Sequence, residues 1–271
     1  MTPTYEPVYD EQDPAKKQED WDVAFGLQKV DGLEPSAYMR SLAKEHIVGQ
    51  KSYAEIASAL NSYYHNTDKL ESRTEEADRV SEKIYQILAE PAFRLDYLSL
   101  KYYHKRLFAD LEYDIFRPGE FRTVNLTKKE PILGGATVEY QDFGLIEESL
   151  KYDFAEESEQ KYVDMPEADL VARLAEFTSR IWQVHPFMEG NTRTTAVFIE
   201  KYLLNLGFQI DNGPFQKDAL YFRDALVLAN YNNYQTGIVA DRSYLESFFR
   251  KLLFKGELRK LPRPEKPQEN S

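Results

Sequence analysis

The tightest constraint in the sequence is a pair of apolar stripes with a polar turn between them. Leu170, Leu174, Phe177, Ile181 and Trp182 recur at helical intervals, and Val197, Phe198, Tyr202 and Leu206 do the same downstream. The stretch from His185 to Val197 reads His-Pro-Phe-Met-Glu-Gly-Asn-Thr-Arg-Thr-Thr-Ala-Val. Two helices that must bury those stripes across so short a turn form a helix-loop-helix joint. Gly190 and Asn191 lie just before the second helix, where unpaired backbone N–H groups and the positive end of the helix dipole converge on any nearby anion. His185 adds a base or nucleophile, Glu189 a hard oxygen suited to Mg²⁺, and Arg193 a planar cation for phosphate oxygens. A histidine beside a helical core is more often structural, and a Gly-Asn turn is ordinary loop chemistry. The combination is what points to phosphoryl or nucleotidyl transfer.

Composition narrows the partners. With 271 residues, 42% hydrophobic, the chain can bury one substantial core, or a core plus a small accessory unit. A net charge of −12 gives no phosphate-neutralising surface, so no nucleic acid is expected as a partner. The absence of cysteine rules out disulfides and thiolate metal sites and fits a reducing compartment. No apolar run approaches the roughly 18–20 residues of a membrane span, and no basic-then-apolar leader opens the chain. The expectation is a cytoplasmic protein with no membrane partner, export without a cleaved signal remaining open.

Along the chain, residues 1–15 carry three prolines among polar groups and read as a disordered tail. Residues 16–66 read as a three-helix module, with Gly32 as a helix stop and Ser52 paired with Glu55 in a capping box. Residues 70–256 form the main domain, and 257–271 a flexible tail. His46, His65 and His104 read as structural or surface groups. Between Thr123 and Tyr140, β-branched residues and the Gly134-Gly135 pair predict a short hairpin. Its open edge, carrying Ile132, Leu133 and Val138, can take an extended target segment by strand addition, although many such edges bind nothing. The acidic run at Glu156, Glu157 and Glu159 reads as a solvated connector. The predicted fold class is mostly α, with one small β-hairpin and the three-helix module at its amino end.

The loop resembles the signature of Fic (Fido) proteins, H-P-F-x-[D/E]-G-N-G-R-x-x-R, matching at His185, Pro186, Phe187, Glu189, Gly190, Asn191 and Arg193. It departs at Thr192, which replaces a glycine, and at Ala196, which replaces the final arginine. The resemblance implies a Fic helical fold whose hairpin is a target-docking flap. It also implies transfer of AMP from ATP to a Ser, Thr or Tyr hydroxyl of a protein target. His185 would be the base and Glu189 the Mg²⁺ ligand. Gly190, Asn191, Thr192 and Arg193 would bind the phosphates, and Tyr231 and Asn232 would lie near the base and ribose. Two alternatives stay open: a Doc-like kinase that transfers the γ-phosphate, and a non-catalytic module that binds nucleotide or protein. The sequence names no target protein and leaves the oligomeric state open.

The amino-terminal module resembles the VbhA-type antitoxins that pair with Fic proteins, on the run from Gly26 to Pro35. Such antitoxins carry an inhibitory helix, [S/T]-x-x-x-E-[G/N], whose glutamate pairs with the final arginine of the loop. The matching positions are Leu27, Asp31 and Gly32. With the hydroxyl missing, the acid shortened and Ala196 in place of the arginine, both sides of that contact are altered. The expectation is a degenerate inhibitory helix retained mainly for packing.

Overall fold

A computed structural model describes residues 13–66, 72–111, 115–211 and 213–262. The joint forms as the two stripes require, except that Leu206, expected in the second stripe, caps the end of α8 and is exposed. Helix α7 (Glu167–Val184) buries Leu170, Leu174, Phe177, Ile181 and Trp182, and helix α8 (Asn191–Asn205) follows it across the loop. Every residue of α8 from Asn191 to Leu203 is buried. It therefore runs through the middle of the molecule, walled by α7, by α4 (Ser72–Ala89), by α5 (Tyr97–Phe108) and by the 3-10 turn Gln28–Asp31. A helix enclosed on all sides is ordinarily apolar all round. This one carries Thr192, Arg193, Thr194, Thr195, Glu200 and Lys201 inward, so each needs a partner or a neutral form.

The amino-terminal residues share that core. Helix α1 (Pro14–Leu27) packs on α4, where Trp21 stacks on Tyr85 at 4.4 Å and its indole N–H donates to His46 Nδ1. On its other side α1 meets the short helix α9 (Gly213–Lys217) so closely that a Cβ at Gly26 would lie 2.4 Å from the Phe215 carbonyl oxygen. Only glycine fits there. Helices α2 (Ala37–Ile47) and α3 (Tyr53–Asn66) are tied to α4 by Asp78, which accepts from Ser36 N–H and Oγ–H and from the Tyr64 hydroxyl. Gly32 ends the first stretch at φ +68°, and Ser52 and Glu55 exchange their capping hydrogen bonds, both as the sequence predicts. Helix α6 (Ile146–Ser158) covers α7 and α5, while α10 (Ala219–Leu228) and α11 (Ser243–Phe254) close the far side. No helix among the described residues is long and apolar enough to cross a membrane.

Three expectations are corrected. Pro14 and Ala15 belong to α1, capped by the Asp13 carboxylate; the rest of the expected tail, and residues 263–271 of the other, lie outside the described residues. Glu156 and Glu157 sit in α6 rather than in a connector, and Glu157 is buried, accepting hydroxyls from Tyr162 and Tyr202. The hairpin turns back on itself through a 3-10 turn, Pro131–Leu133, but holds no paired strands: Glu130 N–H donates to the Ala136 carbonyl, and the ladder goes no further. Other groups capture the backbone that a ladder would use. Arg122 takes the Val124 and Gln141 carbonyls, and Gln183 takes that of Glu139.

Glu200 shows how α8 tolerates enclosure. Neither carboxylate oxygen has a hydrogen-bond partner; burial first, then Asp20, pushes its pKa up to about 8, against the pull of Lys16 and Lys201. The folded chain thus keeps a proton that the unfolded chain releases near 4.5, and stability falls as pH rises from 4.5 to about 8. In Glu200→Gln that slope, at most about 1.4 kcal/mol per pH unit, should vanish. Urea midpoints across this range should show the variant gaining on the native chain as pH rises; parallel profiles would mean that Glu200 is charged in the fold.

Candidate active site in the α7–α8 loop

His185 ends α7 in the left-handed region at φ +48°, a conformation that costs a non-glycine residue about 1–2 kcal/mol. Arg122 holds it there. This buried guanidinium donates to the His185 carbonyl at 2.8 Å and to that of Val184 at 3.3 Å, while Arg122 N–H donates to the Pro186 carbonyl. One side chain thus caps α7 and fastens the loop to the folded-back segment 122–141, the flap.

The next residues are fixed by stacking and by reciprocal hydrogen bonds. Phe187 lies flat on His104, ring centroids 3.8 Å apart. The Asn191 amide brackets Phe187, accepting from its N–H at 2.9 Å and donating to its carbonyl at 2.8 Å. His104 accepts Gly119 N–H at Nδ1, so its proton sits on Nε2 and is donated to the Glu189 carbonyl at 3.0 Å. Burial drives the His104 pKa down to about 3, which keeps this neutral tautomer in place. Gly190 takes φ +77°, and a Cβ on it would stand 2.3 Å from Phe108 Cζ. Thr192, the departure from the glycine of the pattern, has its hydroxyl bound by the Trp182 indole N–H at 3.0 Å.

His185 itself is capped. The Tyr140 ring from the flap stacks on the imidazole at 4.0 Å, and Nδ1 has no hydrogen-bond partner. Burial, helped by Lys128 and Arg122, lowers its pKa to about 3, so the ring is neutral across the ordinary pH range. Tyr140 is held in turn: its hydroxyl donates to Glu130, and Glu130 receives Arg223 of α10 at 2.7 Å.

Arg193 is wholly buried, over the face of Phe108 at 5.0 Å. Its NH2 donates to Glu76 at 2.7 Å, its NH1 reaches Gln28 at 3.3 Å, and its Nε lies 2.8 Å from Asp31 Oδ2, off hydrogen-bond alignment and so a purely ionic contact. Burial opposes the charge, but Asp31, Glu76 and, further off, Glu189 hold it firmly. The turn expected to serve mainly for packing thus also carries an ion pair. Asp31 does have an arginine partner, which is Arg193 rather than the residue at 196. Leu27 and Ala196 are fully buried, and Gly32 makes the turn that presents Asp31.

Arg193 and Glu189 face a cavity of about 390 Å³, within the span of small-molecule sites. Asp31 and Glu76 supply further negative charge on its wall, and Arg73, Lys128 and Arg223 supply positive charge, above a floor that includes Phe116. One Glu189 oxygen accepts Gly190 N–H at 2.9 Å, which leaves the other for a ligand; a single carboxylate completed by phosphate oxygens and water is the donor set Mg²⁺ commonly takes. Of the expected catalytic and nucleotide residues, Glu189 and Arg193 line the cavity, whereas His185, Gly190, Asn191, Thr192, Tyr231 and Asn232 do not; Asn232 binds Ala240 N–H, and Tyr231 receives an N–H from the Asn233 side chain. Of the expected docking residues, Val138 is buried, while Ile132 and Leu133 keep part of their surface. Glu76, Arg122, His104, Lys128, Tyr140 and Arg223 carry no local signal in the sequence. Their parts in the site come from contacts distant along the chain.

Residues 94–203 match the Fic/DOC family model and form a Fic/DOC family domain, the span that holds α5, the flap, α7, the loop and most of α8. Among solved structures, the crystal structure of the N-terminal Fic domain of Bep8, a VirB-translocated effector protein from Bartonella sp. 1-1C, is similar at a TM-score of 0.51 and 18% identity, covering 70% of this chain and 88% of that one. At that identity the likeness speaks for the fold. No curated protein matches the chain.

Gly190→Ala combines a positive φ with a clash into Phe108, and should lower stability by about 2–4 kcal/mol. A urea midpoint shifted by less than about 1 kcal/mol would show that the loop can be re-sited cheaply.

Proposed function

We propose that the protein is a Fic-type transferase moving AMP from Mg²⁺-bound ATP to a Ser, Thr or Tyr hydroxyl of a protein target. The observation that carries this is the convergence of Glu189 and Arg193 on one cavity at the amino end of α8. A carboxylate for the metal and a fixed guanidinium for phosphate, near the amino end of a helix, suit a polyphosphate. Mg²⁺ held by Glu189 would neutralise phosphate charge. The acceptor hydroxyl forms its bond to the α-phosphorus, the bond from that phosphorus to the bridging oxygen breaks, pyrophosphate leaves, and the hydroxyl proton passes to the imidazole of His185. Gly190 lets the loop pass over Phe108, which any side chain there would strike.

The same geometry supports restraint by the amino-terminal residues. Asp31 and Glu76 neutralise the guanidinium that phosphate would use, and Tyr140 covers the base. In this reading the described conformation is a resting one. Activity needs Arg193 released and the flap ring displaced.

Incubation of the chain and lysate with ATP labelled at the α- or the γ-phosphate tests the reaction. Protein label from α alone is expected, and His185→Ala should abolish it while nucleotide binding persists, because the base acts on the acceptor. Label from γ alone would make the protein a kinase. Restraint is tested by Asp31→Asn with Glu76→Gln. The double variant should bind MgATP at least tenfold more tightly and melt earlier, a charge left buried without partners costing about 3–5 kcal/mol. Saturating MgATP should then raise its melting temperature more than that of the native chain; equal increments would show that the acids do not compete with nucleotide.

A further inference from the structure

Four cations border the cavity, and three are engaged. Arg193 is held by Asp31 and Glu76, Arg223 by Glu130 at 2.7 Å and the Val30 carbonyl at 3.0 Å, and Arg73 by the Asp31 carbonyl at 3.0 Å with Glu76 3.7 Å away. Lys128 is different. Among the described residues it borders the cavity without an ion pair.

Its placement follows from the flap backbone. In this extended stretch side chains alternate: Thr127 and Lys129 are exposed, Lys128 is half-buried and Glu130 is buried. Lys128 N–H donates to Thr137 Oγ1 at 3.1 Å, and Glu130, two residues on, is fixed by its own N–H to Ala136 and by Arg223. The lysine stem therefore leaves from a pinned backbone on the cavity side. Its charge is felt at His185, where it helps to keep the imidazole neutral. Ala196, one turn beyond Arg193, is fully buried and offers the cavity no cation. Among the described residues this half-buried lysine has no counter-ion, and it borders a cavity that also presents Glu189, so an anion entering there would meet its charge.

We propose that Lys128 is a phosphate-binding residue, its ammonium contacting the polyphosphate of a nucleoside triphosphate from the flap side of the cavity. This rests on the nucleotide reading and deepens it. A lysine acts here as a mobile point charge, suited to oxygens whose charge changes as a phosphate bond breaks. Because Lys128 and Tyr140 belong to one flap, occupation of the polyphosphate site acts on the segment that covers the base.

The test is calorimetry on the full chain and on the Asp31→Asn, Glu76→Gln background, with MgATP, magnesium pyrophosphate and adenosine as probes. Lys128→Met keeps the stem and removes the charge; Lys128→Arg restores the charge. The Met variant should lose about tenfold or more for MgATP and pyrophosphate, about 1.4 kcal/mol, with adenosine unchanged and a shallower salt dependence. The Arg variant should stay within about threefold of the parent, and urea midpoints should stay put, since the site is half-exposed. If the parent chains bind MgATP and Lys128→Met binds it equally, the lysine assignment falls and the nucleotide reading stands. If they bind pyrophosphate through Lys128 but not MgATP, the lysine stands as an anion ligand and the nucleotide reading falls. Parents that bind neither probe retire both.

Discussion

A guanidinium buried in the middle of the protein sets the terms for the rest of the structure. Moving an isolated cation out of water costs many kcal/mol, so Arg193 can sit on the enclosed helix α8 only if negative charge comes to meet it. Two acids do so from different places, Asp31 from the turn that ends the first helical stretch and Glu76 from α4. The amino-terminal residues are thus bound to the site electrostatically, through Arg193, and sterically, through the backbone contact at Gly26. The same requirement explains the asymmetry of the cavity, whose acids cluster around Arg193 while Lys128 faces it from the flap.

A second buried guanidinium performs the opposite task. Among the described residues Arg122 pairs with no carboxylate; it collects carbonyl oxygens from the end of α7 and from both limbs of the flap, with the Asn125 amide oxygen beside them. Where Arg193 couples charge to charge, Arg122 fixes backbone to backbone, and the price is a flap that cannot complete a strand ladder. The flap is accordingly a loop with strand-like alternation, Lys128 and Glu130 inward on one limb, Val138 and Tyr140 inward on the other.

What the sequence made legible was local. The helix stripes, the Gly32 stop, the Ser52–Glu55 box and the loop between α7 and α8 each depend on residues within a few positions of one another, and each lies where the pattern puts it. What it hid was distant or compensated. Glu76 stands 117 residues from its arginine, so nothing around it marks it. Glu157 looked solvated beside other acids because the two tyrosines that need it come from other elements. The family pattern pointed to Asp31 and to position 196, where this chain has alanine; Asp31 lies against Arg193, three residues before it, and no spacing in the sequence marks that pair. The alternation in the flap was real, but alternation records which face is buried and not whether backbones pair.

The chain has two tryptophans, one on α1 and one on α7. Trp21 lies in the seam between α1 and α4, stacked on Tyr85 and hydrogen-bonded to His46. Trp182 lies behind the loop, its indole tied to Thr192 and its ring edge-on to His185 at 5.4 Å. Each ring is thus an optical probe already built into one of two surfaces, the amino-terminal seam and the packing beneath His185. Emission from Trp21 alone follows the loosening of the amino-terminal seam, emission from Trp182 alone the rearrangement beneath the base, and the order of the two signals in time tells which surface yields first.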